Sequence, residues 1–222
     1  MKKVFMIVLS ALLLFSSTAM ADSVAGKFGI TARGGVGYFL NSEFTDAAVA
    51  NWSVDKTIKG GTGWTGGGGF MYGINDNLSV DFDIIYEQVE VTMTHSGGTN
   101  HVFGKGKAFD FSLGAQWRFQ PKKAFVPYIG AGVDFLINSF SLYDVYSASG
   151  ETIDLDNTFG GHLNIGVDYF LTPHVSLNAE FRYLYSTTSD LTSKYPGESD
   201  AVVAKYDPGN ITGFAGVRFF FP

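Results

Sequence analysis

The chain has 222 residues and a formal net charge of −6, with 16% charged residues, 28 Gly, 21 Phe, 11 Tyr and no Cys. The missing cysteines exclude thiol catalysis, disulfides and thiolate metal sites, and an acidic chain without a Lys/Arg cluster is not expected to bind nucleic acid. The composition is too apolar for disorder, and no charged or Pro/Ser-rich linker divides the chain.

Residues 1–21 read as a signal peptide. Lys2 and Lys3 supply a basic start, residues 4 to 15 an apolar stretch, and Ala19, Met20 and Ala21 a small-residue cleavage site. The apolar stretch is too short to span a bilayer as a helix, which takes about 20 apolar residues. Cleavage would remove two lysines and carry the net charge from −6 to −8, leaving residues 22–222 as one domain. After residue 21 no run of 18 apolar residues occurs, so a membrane-spanning role requires a β-barrel.

Strict alternation then recurs in segments of the ~10-residue length that a tilted membrane strand needs. The first strand places Phe28, Ile30, Ala32, Val36, Tyr38 and Leu40 on one face, with Thr31 and Arg33 opposite. The second is a Gly-rich run with Trp64, Phe70, Tyr72 and Ile74 outward, and the third sets Leu78, Val80, Phe82, Ile84 and Tyr86 against Ser79, Asp81, Asp83 and Glu87. The fourth, 108 to 119, is the clearest: Phe109, Phe111, Leu113, Ala115, Trp117 and Phe119 oppose Asp110, Ser112, Gln116 and Arg118. The fifth has Pro127, Ile129, Ala131, Val133, Phe135 and Ile137 against Tyr128 and Asp134, and the sixth Phe159, Leu163, Ile165, Val167, Tyr169 and Leu171 against His162, Asn164 and Asp168. The seventh has Val175, Leu177, Ala179, Phe181, Tyr183 and Tyr185 against Ser176, Asn178, Glu180 and Arg182. The eighth has Ile211, Ala215, Val217, Phe219 and Phe221 against Thr212 and Arg218.

Short turns at 75–77, 120–123 and 172–174 alternate with long connections at 41–63, 93–106, 139–157 and 187–209, the pattern of periplasmic turns and extracellular loops. The expected fold is an all-β, eight-stranded antiparallel up-and-down transmembrane β-barrel, closed between its first and last strands so that no sheet edge meets lipid.

An eight-stranded barrel has an interior about wide enough for side chains to fill. The inward charges Arg33, Asp81, Asp83, Glu87, Asp110, Arg118, Asp134, Asp168, Glu180, Arg182 and Arg218 are therefore expected to form a paired plug, because an unpaired buried ion costs several kcal/mol. Towards the extracellular ends the inward positions turn apolar at Ile85, Val89, Val91, Leu136, Leu184 and Phe214. These residues read equally well as an apolar cup at the mouth or as packing for the feet of the long loops.

Chemical motifs are weak. Residues 61–66 fit GxGxxG but open a strand rather than a helix, so a dinucleotide site is not expected, and no cofactor is. His95, His101, His162 and His174 show no metal-ligand spacing; His162 or His95 with a loop serine could support catalysis only by chance placement, and the chain is not expected to be an enzyme. The acidic loop residues Asp144, Glu151, Asp154, Asp156, Asp190, Glu198, Asp200 and Asp207 read as solvated surface, with bridging through divalent ions to lipopolysaccharide as the sharper reading.

At Trp117, Arg118 and Phe119, followed by the Phe-Val-Pro-Tyr-Ile-Gly-Ala-Gly-Val stretch at 125–133, the chain resembles the OmpW family of small outer-membrane proteins. The likeness continues through 155–185, with Gly166-Val167-Asp168-Tyr169-Phe170-Leu171 and Leu177-Asn178, and through Tyr206-Asp207-Pro208 before the last strand. The Pro-Tyr-x-Gly-x-Gly element also occurs in OmpA-like barrels. The resemblance implies residence among outer-membrane lipid and lipopolysaccharide, and a hydrophobic lumen that admits a small apolar ligand and releases it sideways. It also implies that the strand at 217–221 is read by the outer-membrane assembly machinery. The alternative is a structural or adhesive barrel of OmpA type that acts through its long loops.

Overall fold

The computed structural model describes residues 23–95, 97–143, 152–194, 196–197 and 199–221. The leader expected at 1–21, and Asp144, Glu151 and Glu198 of the acidic loops, lie outside the described residues. In chain order the elements are β1 (Phe28–Phe39), β2 (Ser42–Phe44), α1 (Asp46–Trp52), β3 (Thr57–Ile58), β4 (Thr62–Gly73), β5 (Leu78–Thr94) and β6 (Asn100–Arg118). There follow β7 (Phe125–Leu142), β8 (Thr152–Leu155), β9 (Thr158–Thr172), β10 (Val175–Ser186), β11 (Ser189–Lys194), β12 (Ala201–Tyr206) and β13 (Asn210–Phe220). Among the described residues, no helix is long and apolar enough to cross a membrane.

Eight of these strands form a closed barrel in the order β1-β13-β10-β9-β7-β6-β5-β4, every neighbouring pair antiparallel. The closure runs from Gly29↔Phe220 to Phe39↔Asn210, so the first and last strands satisfy each other's backbone groups. The expected fold is met, and so is the facing of the alternating residues. Leu113, Val133 and Phe159 are 58%, 63% and 67% exposed, whereas Asp110, Arg118 and Asp168 are fully buried. Such an inside-out polarity is untenable in water and correct in lipid. Ring contacts mark an outward aromatic row near the upper rim, with Tyr86 5.2 Å from Trp64 and 5.1 Å from Phe109.

The expected long connections are corrected. β5, β6 and β7 run on to Thr94, from Asn100 and to Leu142, so 93–106 is mostly a paired hairpin, and the first connection carries the seven-residue α1. Thr45 caps α1 by accepting from the Ala48 N–H at 3.3 Å. Segments of the first, third and fourth connections assemble a second, five-stranded sheet in the order β3-β2-β12-β11-β8. Beneath it lies a core that includes Phe44, Val54, Ile58, Met93, Phe103, Phe140, Leu191 and Val203. The physical reason is that strands above the bilayer need no apolar outward face. Gln88, Glu90, Lys105, Lys107, Ser139 and Ser141 continue the alternation in polar form, and this hides the strand from a reading based on apolar periodicity.

The lumen and its cap as the candidate functional site

The lumen is layered from the periplasmic end upward. Its floor is apolar: Val24, Met71, Val126, Phe170 and Phe220 form a buried cluster, with the Phe170 and Phe220 rings stacked at 5.3 Å. These side chains were not anticipated as a unit. Their strand parity, two positions from Tyr128, Asp168 and Arg218, was the signal that could have found them.

Above the floor lies the charged layer. Asp168 accepts from Arg118 at 2.5 Å and Arg218 at 2.7 Å, and Arg218 also donates to Thr31 Oγ1 at 2.8 Å. The Tyr128 ring lies against both guanidinium groups, 5.7 and 5.9 Å from their carbons. Its hydroxyl donates to Glu180 at 2.8 Å and accepts from Asn178 Nδ2 at 2.9 Å, while Asn178 also reaches Asp168. Arg33 bridges Glu180 and Asp83, both at 2.7 Å, so one network runs from Asp83 to Arg218. A second network sits higher: Arg182 binds Asp110 at 2.7 Å and also Asp134, and His162 Nδ1 is 2.9 Å from Asp134 Oδ2.

Two of the eleven charged positions stand outside the ion pairs. Glu87 accepts from Asn210 Nδ2 at 3.0 Å, and Asp81 has no ion-pair partner among the described residues, its Oδ1 buried without a hydrogen bond. Seven carboxylates therefore face four arginines. The fit is made possible by glycine. A Cβ at Gly166 would run into the Tyr128 ring, and one at Gly132 into His162. Sequence reasoning missed His162, Asn178, Asn210 and Thr31 as members of these networks, because neutral polar residues carry no charge pattern to flag them.

The apolar positions Ile85, Val89, Leu136, Leu184 and Phe214 are all buried, at 5% exposure or less. They fall in different places. Val89 and Val91 join the core under the cap, and Leu136 and Leu184 cluster with Ala108. Phe214 lies under the Arg33 guanidinium at 4.7 Å, and Ile85 sits on β5 between Asp83 and Glu87.

Beside Leu136 the wall changes. β7 pairs with β9 only up to Leu136↔Thr158, while it continues on β6 to Leu142. Across the fork, Asn138 Nδ2 donates to the Asp156 carbonyl at 2.9 Å and to Thr158 Oγ1 at 3.0 Å. Where β12 leads into β13, burial holds the Asp207 carboxyl above its ordinary range, partly offset by the Gly209 N–H that it accepts. His162 lies near Ser112 and Asp134, but both approach the same nitrogen, Nδ1, at 3.4 and 2.9 Å. A nucleophile triad needs them on opposite ring nitrogens. Among the described residues, no three metal-ligating side chains converge.

Residues 7–219 match the family described as outer membrane protein beta-barrel domain. The chain belongs to that family. The uncharacterized outer-membrane protein y4mB of Sinorhizobium fredii is 26% identical to this member over 156 residues, 68% of this chain and 62% of that protein, so the match spans less than two thirds of that relative. Among solved structures, the outer membrane protein OprG of Pseudomonas aeruginosa matches with a TM-score of 0.71 at 20% identity, covering 90% of this chain and 99% of OprG. The outer membrane protein AlkL matches with a TM-score of 0.55 at 14% identity, covering 92% and 94%. At these identities both likenesses concern the fold. The family member described here is an outer-membrane β-barrel protein, embedded in lipid in the Gram-negative outer membrane, and its fold is similar to that of OprG and AlkL.

Proposed function

We propose that this barrel takes up small hydrophobic molecules at its extracellular end and passes them sideways into the membrane. The observation that carries the reading is the stacking of layers. Apolar side chains lie above buried ion-pair networks and a stacked phenylalanine floor, so an apolar solute entering from outside meets a steep desolvation cost along the barrel axis. The fork beside Leu136 supports a side exit, because there the backbone ladder between β7 and β9 ends and a side-chain amide takes its place. Ile85, Val89, Leu136, Leu184 and Phe214 would form the apolar path, and the eleven charged residues the plug that turns the solute aside.

The test is uptake of an apolar fluorescent probe into proteoliposomes. Replacing Leu136 and Leu184 together by Asp should abolish it while heat-modifiable gel migration still reports a folded barrel; undiminished uptake by a folded double variant removes the reading.

The ordered five-stranded cap supports a second reading, in which the lumen is inert and the cap sheet binds a surface partner. Removing the cap would then abolish binding to that partner, whereas the Leu136 and Leu184 double variant would leave that binding unchanged. The leader at 1–21 would direct export, and the strand ending at 217–221 would present its alternating Val217, Phe219 and Phe221 to the assembly machinery.

A further inference from the structure

The acidic balance of the chain is not evenly spread. All four arginines point into the lumen, and in the cap Lys56 pairs with Asp46, Lys194 with Asp154 and Lys205 with Asp190. Three extracellular lysines remain: Lys59, Lys105 and Lys107. Lys105 and Lys107 alternate outward on β6, between the lumen-facing residues Gly104, Gly106 and Ala108. Lys59 forms a bridge with Thr92, donating its N–H to the Thr92 carbonyl at 2.9 Å and accepting from the Thr92 N–H at 3.1 Å. Thr92 points outward between the buried Val91 and Met93, so all three lysines share the outer wall at β3, β5 and β6.

Their height is set by their neighbours. Phe109 faces Tyr86 across the ladder, and the next outward pair is Lys107 with Gln88, then Lys105 with Glu90. Each two-residue step is about 7 Å along a strand. The lysines thus stand directly above the aromatic row of Trp64, Tyr86 and Phe109, where the hydrocarbon ends and lipid headgroups begin. On this patch the charge is unbalanced. Among the described residues, Lys107 donates to Ser141 Oγ at 3.1 Å, and neither it nor Lys59 has a carboxylate in ion-pair range. Among the described residues, the acid in ion-pair range of these lysines is Glu90, 3.9 Å from Lys105, and it accepts from the Tyr143 hydroxyl at 2.9 Å.

We infer that Lys59, Lys105 and Lys107 form a docking site for the phosphorylated headgroup of an outer-leaflet glycolipid, whose acyl chains lie along the aromatic row beneath. Charge complementarity selects phosphate, and the lipid-facing wall selects the lipid as its source. Each lysine at such a surface is worth about fivefold in affinity.

The experiment is native mass spectrometry of the detergent-solubilised chain with bisphosphorylated lipid A as the probe, against the same lipid stripped of its phosphates. Wild type should retain the phosphorylated form at least tenfold better, and the triple Lys59→Gln/Lys105→Gln/Lys107→Gln variant should lose that preference. A control triple at Lys56, Lys194 and Lys205 should keep it, and Glu90→Gln should tighten retention. Millimolar inorganic phosphate should not displace the lipid. Retention unchanged in the rim triple, equal loss in the control triple, weaker retention in Glu90→Gln, or displacement by free phosphate would each overturn the assignment.

Discussion

Asp168 is the side chain on which most of the lower lumen depends. It neutralises Arg118 and Arg218 at once, both fully buried, and nothing else among the described residues pairs with either. Asp168→Asn therefore strands two buried guanidinium groups and should cost about 3–5 kcal/mol, read as a lowered urea midpoint of the barrel refolded in lipid vesicles. Asp81 is the opposite case. It has no ion pair and one unsatisfied oxygen, so Asp81→Asn should leave that midpoint unchanged or raise it; a loss as large as that of Asp168→Asn would show that Asp81 is held by partners through water. Gly166→Val belongs at the same scale. Its side chain must displace the Tyr128 ring, which breaks the link between Glu180 and Asp168 and should destabilise the barrel by more than a surface substitution does. The inward placement of all eleven charges was legible in the sequence, because alternation with period two leaves one choice of face once lipid is identified as the solvent. Their pairing was not legible: Arg33 reaches Glu180 across 147 positions of sequence, a contact that register and tilt create.

At the scale of elements, the barrel and the cap are separable. The closing ladders of β1 with β13 and β4 lie below Phe39 and use none of the cap strands, whereas β2, β3, β8, β11 and β12 pair chiefly among themselves. Replacing 189–206 by a short turn should therefore leave heat-modifiable migration intact while it exposes the apolar residues beneath, so that binding of an apolar dye at the extracellular end changes. An unfolded product would show that the cap is needed for closure. The same boundary divides what the sequence makes visible. Inside the bilayer every outward residue must be apolar, which makes Phe109 to Trp117 unmistakable; outside it Lys105, Lys107 and Ser139 satisfy the same geometry without that constraint. The helix at Asp46–Trp52 is only two turns long and was hidden by Ala48, Val49 and Ala50, which suit a strand end or a loop equally well.

For the whole molecule, the sequence of layers from Phe220 to the cap sheet fills the barrel axis. A layer in which nine of the eleven charges are ion-paired, above a stacked aromatic floor, sets a small ion a high desolvation cost along the barrel axis. Planar-bilayer recordings should therefore find little steady conductance in the intact barrel, and opening the floor with Phe170→Ser and Phe220→Ser should raise it only if the charged layer is breached as well, for instance by Asp168→Asn. The apolar floor has a further consequence at the level of the cell. A barrel stoppered at its inner end can be present in many copies without making the envelope leaky, so under the proposed uptake its abundance is free to follow the supply of the solute rather than the risk that an open pore carries.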